Sequence, residues 1–99
     1  MIDLLIRDGT VVDGTGRAPY AADVAVENGK IVEVGQLPEA HARRVISARG
    51  KLVTPGFIDI HRHADLAAYR PGFGQPELRQ GLTTIVNGNC GLSAAPIRR

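Results

Sequence analysis

The sequence changes character at Thr54-Pro55-Gly56, and this break constrains the fold more than any other feature. Before it, short β-prone runs alternate with turn residues. After it, Phe57–His61 is apolar on both faces apart from Asp59. A strand with two apolar faces is typical of a parallel sheet covered by helices. The break therefore predicts two different structures in one chain, residues 1–53 and residues 54–99.

The first part is expected to be a set of antiparallel strands. Asn28-Gly29 lies between two β-prone runs, which is the strongest short signal for a hairpin. Asp8-Gly9 predicts a second hairpin turn in the same way. Asp13–Gly16 has the composition of a loop. The expected strands are residues 4–6, 10–12, 22–26, 31–34, 44–46 and 51–53.

The second part is expected to open a parallel α/β structure. Phe57–His61 and Thr83–Val86 are the two strands, and Pro76–Gln80 is a short helix between them. Proline near the first turn and Gly81 after the last are typical helix ends. Because two parallel strands cannot bury both faces alone, and a full barrel needs about 250 residues, this chain of 99 residues is expected to be a fragment.

Composition excludes several functions. The net charge is only +2 and the basic residues are scattered, so the clustered stripe of a nucleic-acid surface is missing. No apolar run approaches the roughly 20 residues of a membrane-spanning helix, and the N-terminus does not read as a signal peptide. A single cysteine excludes an internal disulfide and indicates a reducing compartment. We therefore expect a cytoplasmic protein that binds neither nucleic acid nor membrane.

His61 and His63 are the first candidate metal ligands. Side chains alternate along a strand, so residues two apart project to the same face. Both imidazoles could then reach one ion at the roughly 2.0–2.1 Å typical of zinc. Asp59 shares that face and is either a partner that orients a histidine or a buried carboxylate that is capped by backbone amides or paired with a base.

Cys90 is the third candidate ligand. It follows the second parallel strand, and such strands present their carboxyl ends side by side, so its thiolate could approach the histidines. Gly88 and Gly91 permit the unusual backbone angles that a close approach requires. The local sequence is equally compatible with a buried, inert thiol.

The remaining polar residues carry weaker signals. Asp65, at a loop entry, is expected to be structural, although contact with a substrate or metal is the alternative. His41 is expected to be exposed and without a role. Gly14-Thr15-Gly16 predicts a turn, because no following helix or Lys-Ser/Thr pair completes a phosphate loop.

The motifs together resemble the amidohydrolase superfamily. Val53–His63 resembles its opening metal motif, and residues 4–14 and 29–35 resemble the small β-sandwich domain that flanks its barrel. Leu78–Gly91, which contains Gly-Asn-Cys-Gly, is similar to the D-aminoacylase branch, the N-acyl-D-amino-acid deacylases. Residues 92–96 continue that likeness.

The resemblance implies an α/β fold: the N-terminal part of a small β-sandwich domain (1–53), then the first β/α/β unit of a TIM-type (β/α)8 barrel (54–99). It implies zinc, as one or two divalent ions, with His61, His63 and Cys90 among the ligands. The implied reaction is hydrolysis of the C–N amide bond of a small N-acylated amino acid. The general base and the other ligands would lie further along the chain. We therefore expect no catalytic residue in this chain, and no activity from it alone.

Two positions depart from the branch. Arg62 stands where a small or β-branched residue is more usual, and is expected to affect packing more than ligation. Ala64 replaces an acidic residue, which leaves the substrate open. The alternatives are a cyclic-amide hydrolase related to hydantoinase or dihydroorotase, and a non-catalytic truncated module. Association into a homo-oligomer is also left open.

Overall fold

The computed structural model describes residues 1–94. Its contacts divide the chain into two compact units, and the boundary along the sequence lies between Pro55 and Gly56. Ala95 and Pro96, the end of the family-like stretch, lie outside the described residues. None of the helices within residues 1–94 is long and apolar enough to cross a membrane.

The first unit is one five-stranded sheet. Its order is β3-β2-β1-β4, and β5 also pairs with β1. The second layer of a sandwich is not among its described residues. The strands are β1 (Ile2–Val11), β2 (Tyr20–Glu27), β3 (Lys30–Gly35), β4 (Ala42–Ser47) and β5 (Leu52–Val53).

The expectation of a purely antiparallel set is wrong for β4 and β5, which both run parallel to β1. The reason lies in the connection after β3, which crosses one face of the sheet. Leu37 donates its backbone N–H to Asp23 on β2, at 3.1 Å, and Arg7 on β1 donates to the carbonyl of Ala40, at 2.8 Å. The chain therefore reaches the free edge of β1 in the same direction as β1.

The hairpin expected at Asn28-Gly29 is confirmed. The two residues join β2 to β3 with φ of 51° and 72°. Positive φ at both central positions is the requirement of the type I′ turn, whose twist matches that of the flanking strands.

The hairpin expected at Asp8-Gly9 is wrong, because β1 continues through it. Pairing with β2 passes from Ile6↔Val24 to Gly9↔Ala22, so β1 carries one extra residue and forms a β-bulge. Asp8 takes up the bend at φ 58°. Gly9 is required by space, since a Cβ there would lie 2.5 Å from a methyl carbon of Val53.

The bulge decides which side chains of β1 share a face. Ile6 and Val11 are an odd number of residues apart and would face opposite sides of a regular strand. The extra residue places both against Val24 and Ala22 in the main core cluster. Leu5, on the other face, is fully buried.

The second unit contains β6 (Phe57–Asp59), α1 (Gln75–Arg79) and β7 (Leu82–Ile85), with 3₁₀ turns at Ala67–Tyr69 and Asn89–Gly91. β6 and β7 are parallel, and Gly81 follows α1 at φ 82°, so the expected strand–helix–strand order is confirmed. The expected burial of the first strand is not met, because one five-residue helix cannot cover both faces: Ile58 is 62% exposed.

Candidate metal centre

The carboxyl ends of β6 and β7 bring the three predicted ligands together. His61 and His63 follow β6, and Cys90 follows β7. One donor atom from each lies within 4.8 Å of the others. The Cys90 Sγ is 3.5 Å from the His61 Nε2, and the two imidazole rings meet edge to face at 5.3 Å between centroids.

This donor set fits zinc in both chemistry and spacing. Zinc takes imidazole nitrogen at about 2.0–2.1 Å and thiolate sulfur at about 2.3 Å, so two such donors on a tetrahedral ion lie about 3.5 Å apart. The Sγ–Nε2 distance of 3.5 Å matches that value. All three side chains are exposed, so an ion could reach them from solvent.

Cys90 adopts a backbone conformation that a cysteine rarely takes. Its φ of 56° and ψ of 28° are left-handed, and Gly88 and Gly91 on either side also have positive φ. A non-glycine residue in this region costs on the order of 1–2 kcal/mol. Such outliers cluster at functional sites, where the surroundings hold them in place. Here the turn directs the thiol back toward His61.

Backbone and amide hydrogen bonds tie the two ligand-bearing segments together. The Arg62 N–H donates to the Val86 carbonyl at 3.1 Å. The Asn89 side-chain amide donates to the Arg62 carbonyl at 3.2 Å and to the Val86 carbonyl at 2.8 Å. Asn89 therefore fixes the residue before Cys90 to the residue between the two histidines.

A second pair of bonds extends this connection. Ala64 donates its N–H to the side-chain oxygen of Asn87 at 3.2 Å, and Gly88 donates to a carboxylate oxygen of Asp65 at 3.1 Å. The structural role expected for Asp65 is thus observed. Sequence analysis missed both asparagines, although polar amides directly after a strand are a recognisable signal for loop fixation.

Asp59 contacts the backbone rather than an imidazole. One oxygen accepts the His61 N–H at 3.1 Å, and the other lies 3.7 Å from the Arg62 guanidinium. Of the two alternatives for this residue, the capped carboxylate fits. Arg62 itself donates to Glu77 of α1 at 2.6 Å, a partner the sequence did not suggest. His41 is exposed, as expected, and belongs to the first unit.

A cavity of about 430 Å³ opens beside the donor cluster. His63 lines this cavity, and Arg70 and Asp65 add charges of opposite sign to its wall. Leu66 and Leu92 supply apolar surface. The cavity therefore combines a candidate metal ligand, one positive and one negative charge, and apolar walls.

Known proteins match the chain along most of its length. The family described as the Amidohydrolase family matches residues 44–97. A D-aminoacylase of Alcaligenes xylosoxydans xylosoxydans is 41% identical over 95 residues, which is 96% of this chain and 20% of that protein. The chain thus spans about a fifth of the length of this curated relative.

Solved structures give the same result. An N-acyl-D-glutamate deacylase from Bordetella bronchiseptica, complexed with zinc and a phosphonate inhibitor that mimics the tetrahedral intermediate, has a TM-score of 0.92 and 43% identity. The match covers 99% of this chain and 21% of that one. An L-hydantoinase from Arthrobacter aurescens has a TM-score of 0.72 and 30% identity over 88% of this chain and 20% of its own.

Proposed function

Because the chain belongs to the amidohydrolase family, we propose that it forms the first part of a zinc-dependent enzyme that deacylates N-acyl-D-amino acids. The observation that carries the proposal is the cluster of His61, His63 and Cys90, whose donor atoms lie within 4.8 Å of one another. The sheet of the first unit would belong to the β-sandwich domain of the whole enzyme. The two parallel strands of the second unit would belong to its (β/α)8 barrel.

His61, His63 and Cys90 would hold the ion, with further ligands from the rest of the enzyme. A bound zinc supplies Lewis-acid polarisation of the scissile carbonyl and lowers the pKa of water toward about 7. The residues of this chain orient the donors: Asn89 anchors the cysteine turn, and Asp59 holds the backbone of His61. The general base that moves the proton to the leaving nitrogen would come from another part of the enzyme.

The substrate class follows from the relatives and from the cavity beside His63. The D-aminoacylase relative and the N-acyl-D-glutamate deacylase structure share 41% and 43% identity with the chain. An N-acyl amino acid carries a carboxylate, and Arg70 in the cavity wall offers a complementary charge, while the Asp65 carboxylate in the same wall accepts the Gly88 N–H. The single cysteine supports a cytoplasmic location.

Metal binding by the 99-residue chain tests the site directly. We would titrate the reduced chain with Co²⁺ and follow the thiolate-to-cobalt charge-transfer absorption, then displace the cobalt with Zn²⁺. Cys90→Ser should abolish the charge-transfer band, and His63→Gln should weaken binding strongly. His41→Gln is the matched control, because it removes an exposed histidine outside the cluster. A wild-type chain without the band would refute the ligand set.

A chimera tests the reaction. The matching fifth of the Alcaligenes D-aminoacylase would be replaced by this chain, and kcat/KM measured for the D and L forms of an N-acetyl amino acid. We expect turnover of the D form, and its loss with Cys90→Ala. The chain alone should show no turnover. A chimera that folds and binds zinc but hydrolyses only cyclic amides would favour the hydantoinase alternative instead.

A further inference from the structure

Glu77 is a buried charge next to the candidate metal centre. It lies on α1 with 8% of its surface exposed, and its Oε1 accepts a hydrogen bond of 2.6 Å from the Arg62 guanidinium. The other oxygen, Oε2, is buried and has no hydrogen-bond partner among residues 1–94. Arg62 is itself half-buried and also lies 3.7 Å from Asp59.

Stability is a poor explanation for this ion pair. Burial of the Glu77 carboxylate carries a desolvation penalty, and an ion pair that is buried on one side often contributes no more than apolar side chains of the same size. The unpartnered Oε2 of Glu77 adds a further cost. An apolar contact would hold a helix of five residues in place without this desolvation penalty. The presence of the Arg62–Glu77 ion pair therefore requires an explanation other than stability, and its position next to the candidate ligands suggests one.

Arg62 is the residue between the two candidate histidine ligands. Its N–H is bound to Val86 and its carbonyl to Asn89, which precedes Cys90. Its side chain is bound to Glu77 on α1. Backbone and side chain are thus anchored to different elements, and this leaves the peptide groups that carry His61 and His63 little freedom to rotate.

We propose that the Arg62–Glu77 ion pair is a positioning device that sets the spacing of the three metal donors. The inference rests on the proposed metal site and adds two residues to it. Neither residue touches the ion; both act through the backbone of His61 and His63. Interactions that orient metal ligands in this way typically change metal affinity by about 10–100-fold when they are removed.

The sign of the effect separates positioning from simple electrostatics. Arg62 is positively charged, so its removal would strengthen the binding of a cation if only charge mattered. Positioning predicts the opposite, because the donors lose their fixed spacing. Zinc affinity of Arg62→Met therefore distinguishes the two explanations by direction as well as by size.

The experiment measures zinc dissociation constants of the 99-residue chain and its variants by competition with a chelating dye. We expect binding about 10–100-fold weaker for Arg62→Met, and a smaller loss for Glu77→Gln, which keeps an acceptor for Arg62. The double variant Arg62→Met/Glu77→Gln should bind zinc no more weakly than Arg62→Met alone, since the two residues act as one unit. Arg79→Met, an equal charge change at the exposed end of α1, should bind like wild type.

The spectrum of the Co²⁺ form separates positioning from loss of fold. At saturating cobalt, Arg62→Met should keep the thiolate charge-transfer band but change the intensity of the d–d bands, which report ligand geometry. Circular dichroism checks the fold. If Arg62→Met unfolds, the double variant Arg62→Met/Glu77→Gln, which removes both charges of the pair, decides the question. Unchanged or tighter zinc binding by the folded variants would overturn the proposal, whereas a wild-type chain that binds no zinc would overturn the metal site itself.

Discussion

Each of the two units of the molecule is stabilised by a different kind of interaction. Within residues 1–94, all the buried hydrophobic residues except Ala64 belong to the first unit. Yet all three candidate ligands lie in the second unit. Its loops are tied instead by hydrogen bonds of Asn87, Asn89 and Asp65. The comparison indicates that apolar burial stabilises the unit that lacks the candidate metal ligands. Directed hydrogen bonds shape the loops of the unit that carries them.

The largest expected effect follows from burial. Leu5 is fully buried in the first unit, so Leu5→Ala should lower the free energy of unfolding by about 2–5 kcal/mol. Ile58→Ala is the matched change in the second unit, where the side chain is 62% exposed, and it should cost less than about 0.5 kcal/mol. Urea denaturation followed by circular dichroism measures both. Equal losses would remove the contrast between the units.

Close packing of the two parallel strands gives the next effect. A Cβ at Gly56 would lie 2.7 Å from the Thr83 Cβ, so Gly56→Ala should force β6 and β7 apart and cost about 1–3 kcal/mol. Gly35→Ala in the first unit meets nothing within 4 Å and should be nearly neutral. Cobalt binding should fall only for Gly56→Ala. Undisturbed binding in that variant would show that the donors do not depend on the strand pair.

A smaller effect is expected at Cys90, where backbone strain and chemistry coincide. At φ 56°, a residue with a Cβ is strained and glycine is not, so Cys90→Gly should be about 1 kcal/mol more stable than Cys90→Ala. Neither should bind cobalt with a thiolate band. The comparison of the two unfolding midpoints isolates the backbone term, and a Cys90→Ala variant as stable as Cys90→Gly would show that the turn is not strained.

The smallest effect concerns Asp13 in the first unit. Hydrogen bonds from the Thr15 side chain and backbone, and from the Tyr20 hydroxyl, lower the pKa of this carboxyl. A carboxyl with a lowered pKa stabilises the fold above its ordinary pKa, and this contribution is lost as the pH falls through the folded value. Acidification from pH 5 to pH 3 should therefore lower the urea midpoint of wild type more than that of Asp13→Asn. Parallel curves would contradict this.

The sequence predicted those parts of the fold that depend on local signals. The Asn28-Gly29 turn and the helix ended by Gly81 need only a few neighbouring residues, and both are observed. Asp8-Gly9 has the same local signal but forms a bulge, because the residues on both sides of it pair with β2 and not with each other. The parallel direction of β4 depends on a connection that crosses the sheet, which local propensity does not specify.

The candidate site divides in the same way. His61, His63 and Cys90 could be brought together in advance because parallel strands end at a common edge. Glu77 could not, because its contact with Arg62 depends on where α1 packs against the strands. Asn89 could not either, because its two acceptors are carbonyl groups, which every residue carries and no sequence pattern marks.

The extra residue in β1 determines how this strand responds to a change in its length. Up to Ile6 and from Gly9 onward, the strand pairs with β2 in two registers that differ by one. Loss of the single codon for Asp8 would merge them into one regular strand, in which Ile6 and Val11 are four residues apart and both still face Ala22 and Val24. Homologous sequences could therefore lack this one residue and keep the same core face, whereas loss of a second residue between Ile6 and Val11 would turn Val11 to the opposite face.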